Sequence, residues 1–478
     1  YRLKKLISAN FTLKNFQLWS PESPVLYLLR IKLIENFQVI DQIEQQIGFR
    51  QLDFFNGNIF LNGERYFIKG INWVEDYKID GSLFNREQLF KDLELIKQLH
   101  ANAIRVLNHP PHPYVVYMCD SLGLLLLQEL PLKSIPPKRL NSEVFRSRIT
   151  DYLLEMISRD RFNVSLLGIG IGENLLPDNK NTQQFLEYLY RKIISTLEVP
   201  VYTNFSPPIR RGTVLPGSIS GISLFNLDKA QILKKLPGWL NKNLSHPMLV
   251  LSFGAPKLGK PKNVEDDADF QKYQVLKIAR AWETITGYPE IDGCFISCIS
   301  DYYGNYASTL YGNNSDPYLK PVGVTDYQRE KRFAFKALKS LYQEGKCRYN
   351  PTLKFEQANP EIFPILGIIS LLIFLFILNN RRYFRENFKR IFIHSHGFYT
   401  DLRDGRKIPF SHTALIALFS SLGCGMVIGS ILFFLKDQPI FDHLSTLILL
   451  DPLLKEQFSR IVWKPVPVSY THLTLPTN

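Results

Sequence analysis

Hydrophobic and polar residues alternate in short runs over residues 1–50. Apolar side chains recur at every second position within residues 25–31, and Ser20-Pro21 and Ser23-Pro24 interrupt the runs. A period of two is typical of strands with one buried face, and Ser and Pro are common where such strands end. Residues 1–50 therefore predict part of a β-sandwich.

From about residue 51 the pattern changes to short apolar runs that alternate with amphipathic helical stretches. The predicted strands are residues 66–71, 103–107, 124–128, 166–171, 199–203, 248–253 and 293–298. The predicted helices are residues 86–99, 114–122, 142–159, 182–197 and 269–286. This number of strand–helix units exceeds what a small sheet can hold. They favour an α/β fold with an eight-stranded (β/α)8 TIM barrel over residues 51–347.

Two strongly apolar stretches follow the predicted barrel. Residues 362–378 and residues 413–435 contain no charged side chain. At 1.5 Å per helical residue, each is long enough, or nearly so, to cross a hydrocarbon core about 30 Å thick. A buried helix of a soluble domain is the alternative, but such a helix is seldom apolar on every face. The pattern therefore predicts two transmembrane helices.

The net charge of +13 arises in part from the connector between these apolar stretches. Residues 380–407 contain eight basic and three acidic side chains. A basic connector is typical of a cytoplasmic loop, so the charge predicts membrane topology rather than a nucleic-acid partner. Residues 379–412 are the predicted cytoplasmic loop, and the barrel is predicted outside the cytoplasm, in the periplasm or at the cell surface. The connector also predicts contacts with anionic lipid headgroups, worth about 1 kcal/mol per charge.

The remaining segments complete the predicted organisation. Residues 348–361 contain Pro and Asn and predict a linker, and residues 436–465 predict an amphipathic extracytoplasmic segment. The chain has no initiator Met and no signal peptide, so we expect its true N-terminus to be missing. Residues 466–478 break the preceding pattern and predict a non-native tail. The five cysteines lack metal-ligand spacing, and we expect neither a metal nor a cofactor.

A series of ordered motifs then resembles glycoside hydrolase family 2, the β-galactosidase, β-glucuronidase and β-mannosidase group. The motifs are Leu18-Trp19-Ser20-Pro21-Glu22, Gly48-Phe49-Arg50, Leu61-Asn62-Gly63, Ile68-Lys69-Gly70-Ile71-Asn72, Asn102-Ala103-Ile104-Arg105, His109-Pro110-Pro111, Glu129-Leu130-Pro131 and Gly323-Val324-Thr325-Asp326. The resemblance covers roughly residues 10–345. It implies that residues 1–50 belong to an immunoglobulin-like sandwich. It also implies hydrolysis of O-glycosyl bonds, with a carbohydrate as the ligand.

The resemblance places the family's acid/base at the end of the fourth barrel strand. Retaining glycosidases need two carboxylates about 5–5.5 Å apart, and a barrel presents both at the C-terminal ends of its strands. Ungapped alignment from Arg159-Asp160-Arg161 puts Asn174 on the acid/base position and Glu173 on the position of its Asn neighbour. A shift of one residue would restore Glu173, but neighbouring strand residues face opposite sides. Glu173 is therefore a candidate acid/base at a displaced position.

The nucleophile position departs further from the family's pattern. The family's Glu-Phe-Gly-Ala motif is Ser252-Phe253-Gly254-Ala255 here, and no Asp or Glu occurs between Asp228 and Glu265. A Ser hydroxyl lacks the charge that would stabilise an oxocarbenium-like transition state. Alignment of the eighth strand also places Ser297 where the family has a Trp that lines the sugar pocket. We expect the family's double displacement to be absent.

Three residues after the second strand are candidates for binding substrate. Arg105, Asn108 and His109 lie where the family holds its substrate or its nucleophile. The alternative is that Arg105 is a structural cation beneath the pocket.

Three functions remain open. The first is a glycoside-hydrolase-like membrane protein that binds a β-glycoside or a surface polysaccharide but is catalytically impaired. The second is an active β-glycosidase that uses Glu173 with a relocated second carboxylate, for which Glu129 is the candidate. The third is a non-enzymatic extracytoplasmic scaffold of a membrane complex, with a protein partner in that complex.

Overall fold

The computed structural model describes two compact units. The described residues are 12–77, 81, 84–176, 179–196, 199–205, 219–243, 245–257, 264–304, 306–310, 316–349, 362–393, 396, 400, 403–404, 410–436 and 438–463. The first unit consists of Tyr1–Lys257, Asn263–Tyr302 and Pro321–Thr352. The second consists of Leu258–Lys262, Tyr303–Lys320 and Leu353–Asn478.

The first unit begins with antiparallel hairpins. Strand β1 (Tyr27–Glu35) pairs with β2 (Gln38–Ile47), which is the described part of the region predicted as a β-sandwich. Strands β3 (Leu52–Phe55), β4 (Asn58–Leu61) and β5 (Glu64–Arg65) form a three-stranded sheet.

Two Asn-Gly pairs set the turns of that three-stranded sheet. Asn56 and Gly57 have φ of 50° and 72°, and Asn62 and Gly63 have φ of 54° and 85°. Two consecutive residues with positive φ match the right-handed twist of the flanking strands, and Asn-Gly is the pair that adopts this conformation most readily. The two Asn-Gly pairs thus determine both turns of the chain that precede the barrel.

Eight parallel strands then close into a barrel, which confirms the predicted eight-stranded barrel. The strands are β6 (Ile68–Trp73), β7 (Ala103–Val106), β8 (Leu125–Glu129), β9 (Leu166–Glu173), β10 (Val201–Phe205), β11 (Ile219–Ser223), β12 (Met248–Phe253) and β13 (Ile291–Ser297). They pair in chain order, and β13 pairs with β6 to close the ring. Strand β11 does not appear among the predicted strands, because Ile-Ser-Gly-Ile-Ser is short and half polar.

Helices surround the barrel, each with an apolar face turned inward. They are α1 (Arg86–Gln98), α2 (Pro113–Leu122), α3 (Pro137–Leu140), α4 (Glu143–Asp160), α5 (Lys180–Ile194), α6 (Lys229–Asn243), α7 (Val264–Thr286) and α8 (Phe333–Glu344). In α1, Leu89, Leu93 and Ile96 are buried, which is the spacing of one helical face. The Asn85 side chain accepts the Gln88 N–H at 3.2 Å and caps the start of that helix.

The lower interior of the barrel is filled with side chains. The Phe295 ring packs against Gly70, where a Cβ atom would lie 2.2 Å from the ring, so only glycine fits at that position. Leu125, Leu127 and Leu249 are fully buried in the same cluster. Each such side chain stabilises the fold by about 1.5–3 kcal/mol through removal from water. The packed interior leaves the open ends of the strands as the place for polar chemistry.

The second unit is helical. Two-residue strands β14 (Tyr302–Tyr303) and β15 (Leu319–Lys320) complete the described strands. The helices are α9 (Ile362–Asn380), α10 (Arg382–Ile393), α11 (Phe410–Leu435), α12 (Pro439–Ile448) and α13 (Pro452–Trp463). Phe374 of α9 contacts Phe384 and Phe388 of α10 and Phe419 of α11, with ring centroids 5.2 to 6.2 Å apart.

One helix in the described part of the chain, Ala414–Leu435, is long and apolar enough to cross a membrane by length and composition. A second would count if Pro364–Asn380 and Arg382–Arg390, which are bent by 107°, form one span. The prediction of two transmembrane helices therefore stays a prediction. The predicted non-native tail and most of the predicted linker lie outside the described residues.

Candidate functional site

The strands of the barrel bring polar side chains together at their C-terminal ends. They are Asn72 on β6, Arg105 on β7, Glu129 on β8, Glu173 on β9, Asn204 on β10, Ser252 on β12 and Ser297 on β13. Most of these side chains are buried. In TIM barrels this end carries the catalytic and binding groups, so it is the candidate site here.

Arg105 lies at the centre of the polar group. Its side chain is 1% exposed, and its Nε donates to Glu129 Oε1 at 2.8 Å. Its Nη2 contacts Glu129 Oε1 at 2.5 Å and Glu173 Oε2 at 2.8 Å. Its Nη1 donates to the Leu251 carbonyl at 3.0 Å. One guanidinium thus bridges two carboxylates and a backbone carbonyl next to Ser252.

Glu129 is enclosed on every side. It accepts the Asn108 N–H at 2.8 Å and the Tyr202 hydroxyl at 3.0 Å, in addition to Arg105. Burial raises the pKa of Glu129 above its ordinary value, although Arg105 opposes the shift, and the neighbouring charge of Glu173 raises it further. A Cβ at Gly170 would lie 2.9 Å from Glu129 and 2.8 Å from Tyr202, so glycine in β9 makes room for this pair.

An irregularity in β9 turns Glu173 toward Arg105. Gly170 pairs with Tyr202 and Glu173 pairs with Asn204, so three steps along β9 match two along β10. This is a β-bulge, which inserts one residue and changes which side chains face the interior. The sequence alone leaves the direction of Glu173 open, and the structure places its carboxylate in the site.

Glu173 is held as a carboxylate. Burial alone would raise its pKa, but Lys133 Nζ at 3.1 Å and Arg105 outweigh burial and lower the pKa of Glu173 below its ordinary value. A general acid needs a proton near neutral pH, and a carboxyl with a lowered pKa has lost it. The acid/base role predicted for Glu173 therefore meets an unfavourable environment.

The two carboxylates are close enough for a glycosidase pair but are not free. Both contact Arg105 Nη2, at 2.5 and 2.8 Å, so the two oxygens are no farther apart than the sum of these distances. Retaining enzymes hold their carboxyl groups about 5–5.5 Å apart with the substrate between them. Here the guanidinium occupies that space.

The C-terminal end of the barrel, here called its mouth, has β7 to β9 on one side and β12 and β13 on the other. Strands β12 and β13 carry no charged side chains near their C-terminal ends. Ser252 is 8% exposed at the end of β12, and Ser297 ends β13. Asn174 follows β9 with φ of 49°, and its N–H donates to the Asn204 carbonyl at 3.0 Å. In the described part of the site, no carboxylate comes from β12 or β13 near its end.

Asn108 and His109 lie beside the group around Arg105. Asn108 has φ of 63°, and its Oδ1 has no hydrogen-bond donor among the described residues. His109 Nδ1 lies 2.8 Å from the Leu107 carbonyl, and its Nε2 lies 3.6 Å from Glu75. Burial disfavours the imidazolium, but Glu75 outweighs it and raises the pKa of His109.

Four site residues are absent from the sequence prediction. Lys133, Tyr202, Asn204 and Asn72 all contact or border the group around Arg105, and Asn72 Nδ2 donates to the Leu251 carbonyl at 2.9 Å. Tyr202 and Asn204 are polar residues near the end of a predicted strand, which is the signal that could have identified them. Lys133 lies beyond its strand and gives no such signal. No group of three or more potential metal ligands occurs within the described ranges.

Two segments of this chain match family models of glycoside hydrolase family 2. Residues 2–50 match the model "Glycosyl hydrolases family 2" and residues 53–154 match "Glycosyl hydrolases family 2, TIM barrel domain". A β-galactosidase of Psychromonas ingrahamii is 34% identical over 161 residues, which make up 32% of this chain and 15% of that protein.

Two solved structures share the fold. A family 2 β-galacturonidase from Eisenbergiella tayi bound to galacturonate has a TM-score of 0.60 and 22% identity, and the match covers 70% of this chain and 61% of that one. A β-D-glucuronidase from Dictyoglomus thermophilum has a TM-score of 0.62 and 17% identity, with coverage of 71% and 61%. The chain thus spans part of the length of each relative. The family-model matches end at residue 154, before the strands that carry Glu173, Ser252 and Ser297.

Proposed function

We propose that this family 2 glycoside-hydrolase-like chain is a membrane-anchored carbohydrate-binding protein that no longer cleaves by double displacement. The observation that carries the proposal is Ser252 at the end of β12, where the resemblance places the nucleophilic carboxylate. A Ser hydroxyl can act as a nucleophile only beside a general base. No hydrogen bond joins Ser252 to a carboxylate or imidazole in the described part of the site.

The charges that remain in the site support this proposal. Arg105 binds both Glu129 and Glu173, and Lys133 binds Glu173 as well. Each charged side chain of this network is therefore already paired with a group of opposite charge. A substrate would have to displace one of these contacts before either carboxylate could act on a glycosidic oxygen.

Two buried amide oxygens supply the argument for binding. Asn108 Oδ1 and Asn204 Oδ1 have no hydrogen-bond donor among the described residues. An unsatisfied buried acceptor costs about 1–3 kcal/mol, which a ligand hydroxyl would recover after a small side-chain adjustment. Sugars are rich in hydroxyl donors. A β-glycoside or a surface polysaccharide is therefore the proposed ligand class, and the galacturonate-bound relative makes uronic acids sensible probes.

Membrane anchoring rests on the second unit. The helix Ala414–Leu435 has the length and composition of a span. Helix α10 follows α9 at a bend of 107° and carries Arg382, Arg385 and Lys389 exposed to solvent. A basic helix at a steep angle to an apolar one suits the membrane surface, where it would contact anionic lipid headgroups. The barrel is then proposed to lie outside the cytoplasm.

A binding titration of the full chain in detergent tests the proposal. Neutral and uronic β-glycosides and their oligomers are titrated into the wild type, Asn204→Ala and Asn141→Ala. Asn141 is an exposed residue outside the site and serves as the matched control. Binding that weakens several-fold in Asn204→Ala only, without turnover of ligand, is expected. The absence of binding to every glycan would refute the carbohydrate role and favour the scaffold in a membrane complex.

A second candidate is an active β-glycosidase, because two carboxylates do converge on Arg105. In this alternative Glu173 and Glu129 act together once a substrate moves the guanidinium aside. Turnover that is lost in both Glu173→Gln and Glu129→Gln would support it, provided that urea unfolding shows both variants to be folded under the assay conditions.

A further inference from the structure

Residues 303–320 fold with the C-terminal helices in the second unit. The chain leaves the first unit after Tyr302 and returns to it at Pro321. By chain order this segment follows the last strand of the barrel and is joined to the barrel unit by a peptide bond at each end. Wherever the barrel unit lies relative to a membrane, this segment lies on the same face.

A partly buried carboxylate joins the segment to α12. Asp442 Oδ1 accepts the Thr309 N–H at 2.9 Å, and Asp442 Oδ2 accepts the Ser308 hydroxyl at 3.1 Å. Burial would raise the pKa of Asp442, but Lys455 and Lys320 outweigh burial and lower it. The carboxylate is therefore charged and satisfied from several sides.

Helix α13 completes the contact surface. The Lys455 side chain is fully buried, and its Nζ lies 3.0 Å from Asp442 Oδ1. The Ser459 hydroxyl donates to the Ser308 carbonyl at 2.8 Å, and the Tyr318 hydroxyl donates to Glu456 at 3.2 Å. A fully buried lysine is costly unless it is paired, and here it pairs with a partly buried carboxylate, so this contact is a specific interface rather than a chance approach.

We infer that α12 and α13 form the docking surface for residues 306–310 and 316–320 and that α9 therefore crosses the bilayer together with α11. The inference rests on the membrane anchoring in the proposed function. Hydrogen bonds of about 3 Å cannot form across a hydrocarbon core of about 30 Å. If α11 alone crossed, α12 and α13 would lie on the face opposite the segment that they bind. An even number of crossings is required, and α9 is the partner that the chain offers.

The inference also assigns α10. With α9 and α11 crossing, α10 and the connector lie on the face opposite the barrel. The 107° bend then separates a crossing helix from a surface helix, and α9 and α10 are not halves of one broken span. The basic residues of α10 would meet the lipid headgroups of that opposite face.

Labelling of single cysteines in sealed vesicles tests the crossings. The full chain with Cys347→Ser and Cys424→Ser serves as the background, since Cys119, Cys294 and Cys298 are buried. Into it are placed Tyr306→Cys, Leu450→Cys and Arg385→Cys, one at a time, at positions that are exposed. A membrane-impermeant maleimide is applied before and after permeabilisation.

The expected result is that Tyr306→Cys and Leu450→Cys react from the same face and Arg385→Cys from the opposite face. Reaction of Tyr306→Cys and Leu450→Cys from opposite faces would overturn the inference and leave a single span. Equal reaction of all three without permeabilisation, from a chain that washes off the vesicles, would overturn the membrane anchoring itself.

A cross-link tests the docking surface independently of the membrane. Tyr318→Cys and Glu456→Cys, at partly exposed positions whose wild-type side chains meet at 3.2 Å, are combined in the same background and treated with a short bismaleimide. An intramolecular link is expected in most of the chains, and neither single variant should show it. Absence of the link, while both thiols react with a small maleimide, would overturn the docking surface even if both helices cross.

Discussion

The two sides of the barrel mouth differ in charge. Strands β7 to β9 carry Arg105, Glu129 and Glu173 in one hydrogen-bonded group, whereas β12 and β13 carry Ser252 and Ser297 near their ends. A retaining glycosidase needs two carboxylates, and the resemblance places them at the ends of β9 and β12. In this chain β9 carries Glu173 there, and β12 carries the neutral Ser252.

Arg105 also joins the charged side of the mouth to β12. Its Nη1 donates to the Leu251 carbonyl at 3.0 Å, directly before Ser252. A carboxylate at position 252 would be a competing and stronger partner, because hydrogen bonds between charged groups are stronger than those to neutral carbonyls. With Ser252 at this position, Arg105 pairs with Glu129 and Glu173 and contacts β12 through a backbone carbonyl.

The largest effect is expected for Arg105→Met. The change leaves Glu129 and Glu173 buried together without their shared cation, and breaking a buried ion pair in this way costs about 3–5 kcal/mol. Urea unfolding of the full chain measures it as a lower midpoint for the barrel. The control is Arg191→Met, which removes an exposed pair with Glu187 and should change the free energy of unfolding by less than about 0.5 kcal/mol. Equal midpoints for both variants would mean that Arg105 does not hold the charged side together.

The next effect is a gain of activity in Ser252→Glu. A carboxylate on β12 restores the charge that an oxocarbenium-like transition state needs, and we expect turnover of an activated aryl β-glycoside to rise about 10²-fold or more above the wild type. A dinitrophenyl leaving group is the best probe, because it departs without the proton that Glu173 lacks. Ser252→Gln has nearly the same shape without the charge and should stay at the background rate. A gain in both variants would show that charge is not what the neutral side lacks.

A smaller effect is expected for Tyr202→Phe. Its hydroxyl donates to Glu129 at 3.0 Å, and loss of a buried hydrogen bond to a charged group costs about 1.5–3 kcal/mol. The control is Tyr152→Phe. Tyr152 lies on the exposed face of α4, so this change should leave the free energy of unfolding unchanged. If the two variants unfold at the same urea concentration, Glu129 is satisfied by Arg105 and Asn108 alone.

The smallest effect is a change in the pH dependence of stability in Lys133→Met. The pKa of Glu173 is lowered, despite burial, chiefly by Lys133, so the stabilisation is present above the ordinary carboxyl pKa and is lost as the pH falls through the lowered pKa. Lys133→Met should therefore be less stable than the wild type at neutral pH, and the difference should close on acidification. Lys138→Met, on the exposed surface, should follow the wild type at every pH. A difference that is constant with pH would exclude a charge interaction with Glu173.

The barrel can be predicted from the sequence because its strands are buried and apolar. The runs at 248–253 and 124–128 are continuous hydrophobic segments, which parallel strands require. Strand β11 escapes prediction because its serines and glycine weaken that signal. The exact ends of strands also differ by a few residues, since hydrogen bonds beyond the apolar run extend them.

The site can be predicted only in part. Arg105 and Ser252 can be predicted from their places near the ends of strands, but the direction of Glu173 depends on the irregular pairing of β9. The run Ile169-Gly170-Ile171-Gly172 gives no signal of an extra residue in the strand pairing. The irregularity arises from how β9 pairs with β10. The contact of Lys133 with Glu173 likewise joins distant parts of the sequence, and such pairings emerge only from the folded chain.

The difference between the two sides of the mouth is tested by the turnover of aryl β-glycosides by the folded full-length wild type and by Glu173→Gln. Neutral and uronic sugars should both be offered, at a pH below and a pH above neutrality. We predict that the wild type and Glu173→Gln give the same rate as buffer with every substrate. Turnover by the wild type that disappears in Glu173→Gln would contradict the impaired site and establish Glu173 as a working catalytic residue.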